Sequence, residues 1–210
     1  MRMRLDRLQQ ALADGLNRTR CLRRWSEFVR ERDGHRCVDC HATRNLSAHH
    51  ICRKTFMPEA EYELGNGITL CRDCHRQVHA GFNGRPDLLE PMDAQGGEKL
   101  RNMERLYCIL DQDADDRGMP QEEFYALGDQ VLAKFKLYQG FAPDTPFPGA
   151  PVRQAYLIWA QTSLGARRAV AAANGVPMTD QPILPGEALV VWGSDTGSPT
   201  AAIIRNPRWY

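Results

Sequence analysis

Arg32-Asp33-Gly34-His35-Arg36-Cys37-Val38-Asp39-Cys40, then Ala48-His49-His50-Ile51, then Asn66-Gly67-Ile68-Thr69-Leu70-Cys71-Arg72-Asp73-Cys74-His75, closed by His79, are the segments that decide the fold. They contain two Cys-x2-Cys knuckles separated by thirty residues. Zinc takes four thiolates in a closed tetrahedron, with Zn–S about 2.3 Å, and one knuckle supplies two sulfurs on one edge. The spacing predicts a structural Zn2+ held by Cys37, Cys40, Cys71 and Cys74. A redox-active CxxC pair is the competing reading, but no βαβ pattern of the thioredoxin kind surrounds either pair. The chain between the knuckles is longer than a minimal zinc ribbon needs and must form an element of its own. In a unit with few large apolar residues, the metal should supply much of the folding free energy.

All six histidines lie between His35 and His79. His75 and His79 are four apart, so a helix beginning near Cys74 projects both from one face, a turn apart. That spacing suits two imidazoles on one ion. Cys74 and His75 are adjacent and diverge by about 100° around a helix, so one helix can serve two ions. Asn45 to Ile51 alternates as a strand does, and successive strand residues point to opposite faces. His49 and His50 therefore should not both ligate one ion; one can ligate while the other reaches across to substrate.

From about Trp25 to Arg85, roughly sixty of the 210 residues, the chain resembles the HNH endonucleases of the ββα-metal superfamily, on the three segments quoted above. The resemblance implies an α+β, ββα-metal core with a four-cysteine zinc anchor. It implies that His50 is the general base, that Asn66 holds the base's loop and ring orientation, and that His75 ligates a catalytic divalent cation. His49 fills a position where many members carry Asp, also a ligand, and His79 has the offset at which the nuclease colicins place a further histidine ligand. The implied reaction is metal-dependent hydrolysis of DNA phosphodiester bonds, by nicking or double-strand cutting, to 5′-phosphate and 3′-hydroxyl ends. Mn2+, Ni2+, Mg2+ or Zn2+ are the candidate catalytic ions. Three imidazoles are borderline donors and suit Zn2+, Ni2+ or Co2+ better than Mg2+, and Mn2+ or Ni2+ is expected to serve at least as well as Mg2+. The pathway stays open among phage packaging, restriction, mobile-element movement and defence.

Charge agrees with a polyanionic substrate. Residues 1–86 carry 16 Lys+Arg against 10 Asp+Glu, whereas residues 87–210 carry 11 against 16. The basic half holds the metal motif, as expected for DNA as partner. Arg36, Arg44, Arg53, Lys54, Arg72 and Arg76 surround the site and are candidates for phosphate contact, although each alone is an ordinary surface charge. Two readings compete with a DNA nuclease: a non-catalytic zinc module binding DNA or protein, and an RNA-directed nuclease of the same chemistry.

Around this core the expected organisation is N-terminal helices over 1–33, the nuclease core over 34–86, a linker over 87–97 and an accessory domain over 98–210 for partner docking, target recognition or homodimerisation. Helices are expected over 1–17, with Leu5, Leu8, Leu12 and Leu16 on one face, and from about Arg20 to Arg32, with Leu22, Trp25, Phe28 and Val29 on its apolar face. Residues 81–86 read as a turn. Further helices are expected from about Glu98 to Leu110, from Pro120 through Tyr138, and from Val152 to Asn174. Four prolines make 140–151 a stiff linker, and Ala188–Trp192 with Thr200–Ile204 read as a hairpin. Asp111, Asp113, Asp115 and Glu122 read as a solvated acidic turn rather than a calcium loop, because Asp116 stands where such a loop needs Gly. Cys21, Cys52 and Cys108 read as free, buried or partly buried thiols. Hydrophobic content of 42% and charged content of 25% are those of a soluble globular protein. The start Met1-Arg2-Met3-Arg4-Leu5-Asp6 has no apolar run behind it, and runs such as Tyr156–Ala160 are far too short for a bilayer. No membrane partner and a cytoplasmic location are the expectation.

Overall fold

The computed structural model describes residues 1–80, 100–161, 187–192 and 200–205. The expected turn at 81–86, the linker at 87–97 and residues 162–174 lie outside them.

The chain opens with a helical hairpin. Helix α1 (Arg2–Ala13) buries Leu5, Leu8 and Ala11, and α2 (Arg18–Arg32) buries Cys21, Trp25, Phe28 and Val29. The first helix is shorter than its leucine spacing suggests, and Leu12 is exposed. Gly15 adopts φ +62°, which only a residue without Cβ enters freely, and the Leu16 N–H closes back on the Ala11 carbonyl at 3.0 Å. Asn17 then caps α2, its side chain accepting from the Arg20 N–H at 3.0 Å.

Strand β1 (Leu46–His50) pairs antiparallel with β2 (Gly67–Cys71), and helix α3 (Arg72–Val78) follows β2 without a loop, with Cys71 as its N-cap. In the hairpin His49 faces Ile68 and His50 faces Gly67. A short 3-10 turn at Pro58–Ala60 lies on the connection between the strands. Beneath β2, the fully buried Arg32 and Asp33 act as a strut. Arg32 donates to the carbonyls of Leu64 (2.7 Å) and Gly67 (2.6 Å) and to Asp33 Oδ1 (2.7 Å), while Asp33 Oδ2 accepts the Thr69 N–H at 2.7 Å.

Four further helices follow: α4 (Leu100–Asp116), α5 (Gln121–Phe124), α6 (Asp129–Tyr138) and α7 (Pro151–Trp159). The single helix expected from Pro120 through Tyr138 is broken at 125–128. There the Ala126 carbonyl accepts the Gly65 N–H at 2.8 Å and the Gly128 N–H donates to Glu63 Oε2 at 3.1 Å, so the chain gives up helix to dock on the segment preceding β2. Of the expected 140–151 linker, residues 140–150 are irregular and Pro151 opens α7, but Phe141 and Phe147 are buried edge-on, 5.6 Å apart, so the segment packs rather than merely links. The acidic run is also corrected. Asp111, Asp113 and Asp115 sit on α4, and the first two are buried against arginines: Asp111 and Asp115 pair with Arg153, Asp113 with Arg36 and Arg117.

One hydrophobic core runs from Leu5 on α1 through Trp25, Ile68 and Leu70 to Tyr107, Phe135 and Trp159. Strands β3 (Glu187–Trp192) and β4 (Thr200–Arg205) pair antiparallel, as the tail pattern predicts. The architecture is α+β: seven α-helices and two small antiparallel sheets among the described residues. No helix among them is long and apolar enough to cross a membrane.

Candidate functional site

The site begins with the turn that follows α2. Gly34 (φ +69°) and His35 (φ 52°) reverse the chain, and the Cys37 carbonyl then accepts the His41 N–H at 2.9 Å to form the first knuckle. The second knuckle spans the end of β2 and the first turn of α3. Together these elements bring the sulfurs of Cys37, Cys40, Cys71 and Cys74 within 4.8 Å of one another, with Cys40 Sγ and Cys71 Sγ 3.6 Å apart. Four thiolates at about 2.3 Å from one ion would be separated by about 3.8 Å along a tetrahedral edge, so the set fits a structural ion such as zinc. The chemistry agrees. Backbone N–H groups at the start of α3, first that of Cys74, pull the Cys71 thiol down to about 7, toward the thiolate that a metal needs. Burial pushes the Cys74 thiol up, a cost that a cation among the four sulfurs would offset.

A second cluster lies on the histidines. His49 on β1, His75 within α3 and His79 at its C-cap place one ring nitrogen each within 4.8 Å of the others. The three rings are mutually edge-on, with centroids 4.6 to 5.0 Å apart and interplanar angles of 76° to 88°. The Nε2 atoms of His75 and His79 are 3.3 Å apart. Two nitrogens at about 2.0–2.1 Å from a tetrahedral ion would be about 3.4 Å apart. Burial, then the neighbouring His75 and His79, hold His49 well below the ordinary imidazole pKa, and burial followed by His79 lowers His75. Both therefore present lone pairs at neutral pH.

His50 points away from this trio, as strand alternation requires. Its Nε2 lies 2.9 Å from the Glu61 carbonyl, which can only accept, so Nε2 carries the proton and Nδ1 holds the lone pair. Its ring lies flat on Trp25, with centroids 4.1 Å apart and planes 7° from parallel. Burial lowers the His50 pKa, opposed by the Glu61 hydrogen bond and aided by Lys54 and Arg18. The Glu61 carboxyl is in turn held below its usual range by the Arg18 guanidinium.

Asn66 makes no hydrogen bond to the His50 ring. Fully buried, it holds the loop that leaves β1: it pairs with both the N–H (2.8 Å) and the carbonyl (2.9 Å) of Cys52, donates to the Ala60 carbonyl (2.9 Å) and accepts from the Tyr107 hydroxyl (3.2 Å).

The basic residues divide. Arg44, Arg72 and Arg76 are exposed, Arg76 with a loose Asp73 partner at 3.9 Å. Arg53 and Lys54 are half-buried on the loop beyond His50. Arg36 is tied to Asp113 and His41 and serves as an internal brace. Sequence reasoning missed Trp25, the Glu61 carbonyl and Tyr107. Trp25 stands on the apolar face expected of α2, a position that gives no sign of contact with an imidazole.

No family model, curated protein or solved structure matches this chain.

Proposed function

We propose that the chain is a metal-dependent endonuclease of the HNH type that hydrolyses DNA phosphodiester bonds. The observation that carries the reading is the pairing of His49 and His50 on one strand. One joins His75 and His79 in a trio able to share an ion, while the other, next to it, is a neutral imidazole with a free Nδ1. A protein that needed zinc only as scaffold has that from the four cysteines and has no use for a second, all-imidazole cluster.

The residues divide the work. His49, His75 and His79 would hold a divalent cation, which when bound supplies Lewis-acid stabilisation of charge on the scissile phosphate and its leaving oxygen. His50 Nδ1 takes a proton from the attacking water; the water oxygen forms the new bond to phosphorus as the bond to the 3′-oxygen breaks, and that oxygen leaves with the bonding pair and takes a proton from solvent water to become the 3′-hydroxyl, while His50 returns its proton to solvent. The Nε2–H bond to the Glu61 carbonyl leaves Nδ1 as the accepting nitrogen. Asn66 keeps the loop from Cys52 to Ala60, with Arg53 and Lys54, in register with the base. Arg44, Arg53, Lys54, Arg72 and Arg76 supply phosphate contacts that should weaken as salt rises.

Plasmid nicking tests the reading. Wild type should relax supercoiled DNA in the presence of a divalent ion, and His50→Ala should stay folded with zinc bound but lose cleavage by about 100-fold or more. Equal cleavage by the two proteins would sink it. The same assay on RNA separates the RNA-directed alternative.

A further inference from the structure

We propose that Trp25 is a positioning residue for His50, fixing the plane and tautomer of the imidazole through a face-to-face stack; this rests on the nuclease reading above. The two rings are parallel to within 7° at 4.1 Å, and Trp25 is 2% exposed. Both are also pinned at an edge to one short stretch of backbone. Trp25 Nε1–H donates to the Glu63 carbonyl at 3.1 Å, and His50 Nε2–H donates to the Glu61 carbonyl at 2.9 Å.

The hairpin makes room for this stack. The residue facing His50 across the sheet is Gly67. A Cβ on Gly67 would lie 2.7 Å from Trp25 Cζ2 and 2.6 Å from Val29 Cγ2, closer than side-chain carbons approach. The glycine therefore leaves the space that the indole occupies against the imidazole.

A hydrogen bond at one nitrogen leaves the imidazole free to swing about that bond's axis. A flat stack removes the swing and opposes the χ2 flip that would exchange Nδ1 with Cδ2 and turn the lone pair to the other side of the ring. Together they aim one lone pair in one direction, the condition for efficient proton transfer to a positioned base. Arg18, through its pair with Glu61 (2.6 Å), steadies the same stretch from outside.

The test compares Trp25→Phe, which keeps a flat face, with Trp25→Leu, which keeps apolar bulk without one; both lose the indole N–H. Two quantities are read on the zinc-loaded full chain: kcat and KM for plasmid nicking, and the 15N signature of the His50 ring by NMR. Trp25→Phe should hold kcat within about threefold, and Trp25→Leu should lose about 100-fold in kcat with KM nearly unchanged. In wild type and Trp25→Phe the ring should show a single Nε2–H form, and in Trp25→Leu an averaged one. Wild-type kcat in Trp25→Leu, equal losses in both variants matching the folded fraction, or an Nδ1–H form in the wild type would each overturn the proposal. Should Trp25→Leu not fold, Gly67→Ala displaces the indole from the other side and must give the same averaged ring signature. The ring measurement needs no activity, so a wild type that never cleaves DNA removes the nuclease reading while the NMR still decides whether the stack holds the imidazole.

Discussion

Asn66 and Cys52 exchange two hydrogen bonds, N–H to Oδ1 at 2.8 Å and Nδ2–H to carbonyl at 2.9 Å, and so tie the chain leaving the first strand to the residue that precedes the second. An amide suits the place because it donates twice and accepts twice, and here all four are used. Asn66→Ala should lower the unfolding free energy by about 3 kcal/mol or more, since several buried groups lose their partner at once. Asn66→Asp should do no better at neutral pH, because a carboxylate would face two carbonyls. Denaturant midpoints check both, and an unshifted midpoint for either would remove the clamp.

The Arg32–Asp33 pair makes a separate demand. Both side chains are wholly buried, and Arg32 also lies 4.2 Å over the Tyr125 ring. Removing one charge leaves the other without a counter-ion in a dry setting. Arg32→Met and Asp33→Asn should each cost about 3–5 kcal/mol, and the double variant less than the sum. Additive losses in a denaturation cycle would show that the two act separately.

These two struts mark where the sequence stops being legible. The knuckles, the His75/His79 spacing and the divergence of His49 from His50 depend on local periodicity, and each is visible in a few consecutive residues. The α+β class follows from them and from the leucine spacing of the helices. What failed depends on distant partners. The break at 125–128 exists because Glu63 and Gly65 offer hydrogen bonds there. Asp111 and Asp113 look solvated until Arg153 and Arg36 arrive from elsewhere in the chain. Trp25 reads as core, and it is core; its contact with His50 comes from the hairpin register.

Acid should act through the histidines in a defined direction. Burial lowers the pKa of His50, so the base form persists through neutral pH and is lost only below the ordinary value of about 6.5. The acid limb of kcat/KM should therefore fall below about pH 6.5; a midpoint above about 7 would contradict the burial. The same depression at His49 and His75 links folding to pH. The unfolded chain takes up protons near about 6.5 and the folded chain resists, so stability present above that pH is lost as pH falls through the lowered values.

The two clusters should fail differently. Cys37→Ser removes a scaffold ligand beneath β2 and should release zinc and unfold the N-terminal half, since metal binding is folding free energy in a unit of this kind. His75→Ala should keep the zinc and the far-ultraviolet circular dichroism of the wild type while losing cleavage. Metal content per chain, measured beside the spectrum, distinguishes them, and matching losses of structure would mean that the histidines belong to the scaffold.

Metal preference should follow from the all-imidazole donor set. His49, His75 and His79 offer three nitrogens, the exposed edge of α3 carries Arg72 and Arg76, and Asp73 is turned to solvent beside Arg76. Mg2+ favours oxygen ligands and keeps its waters, whereas Mn2+ and Ni2+ accept imidazole more readily. Nicking rates at matched free-ion concentration should be at least as high with Mn2+ or Ni2+ as with Mg2+. His49→Asp, which introduces one hard oxygen donor, should move the ratio toward Mg2+. Activity confined to Mg2+ in the wild type would show that these imidazoles do not hold the working ion.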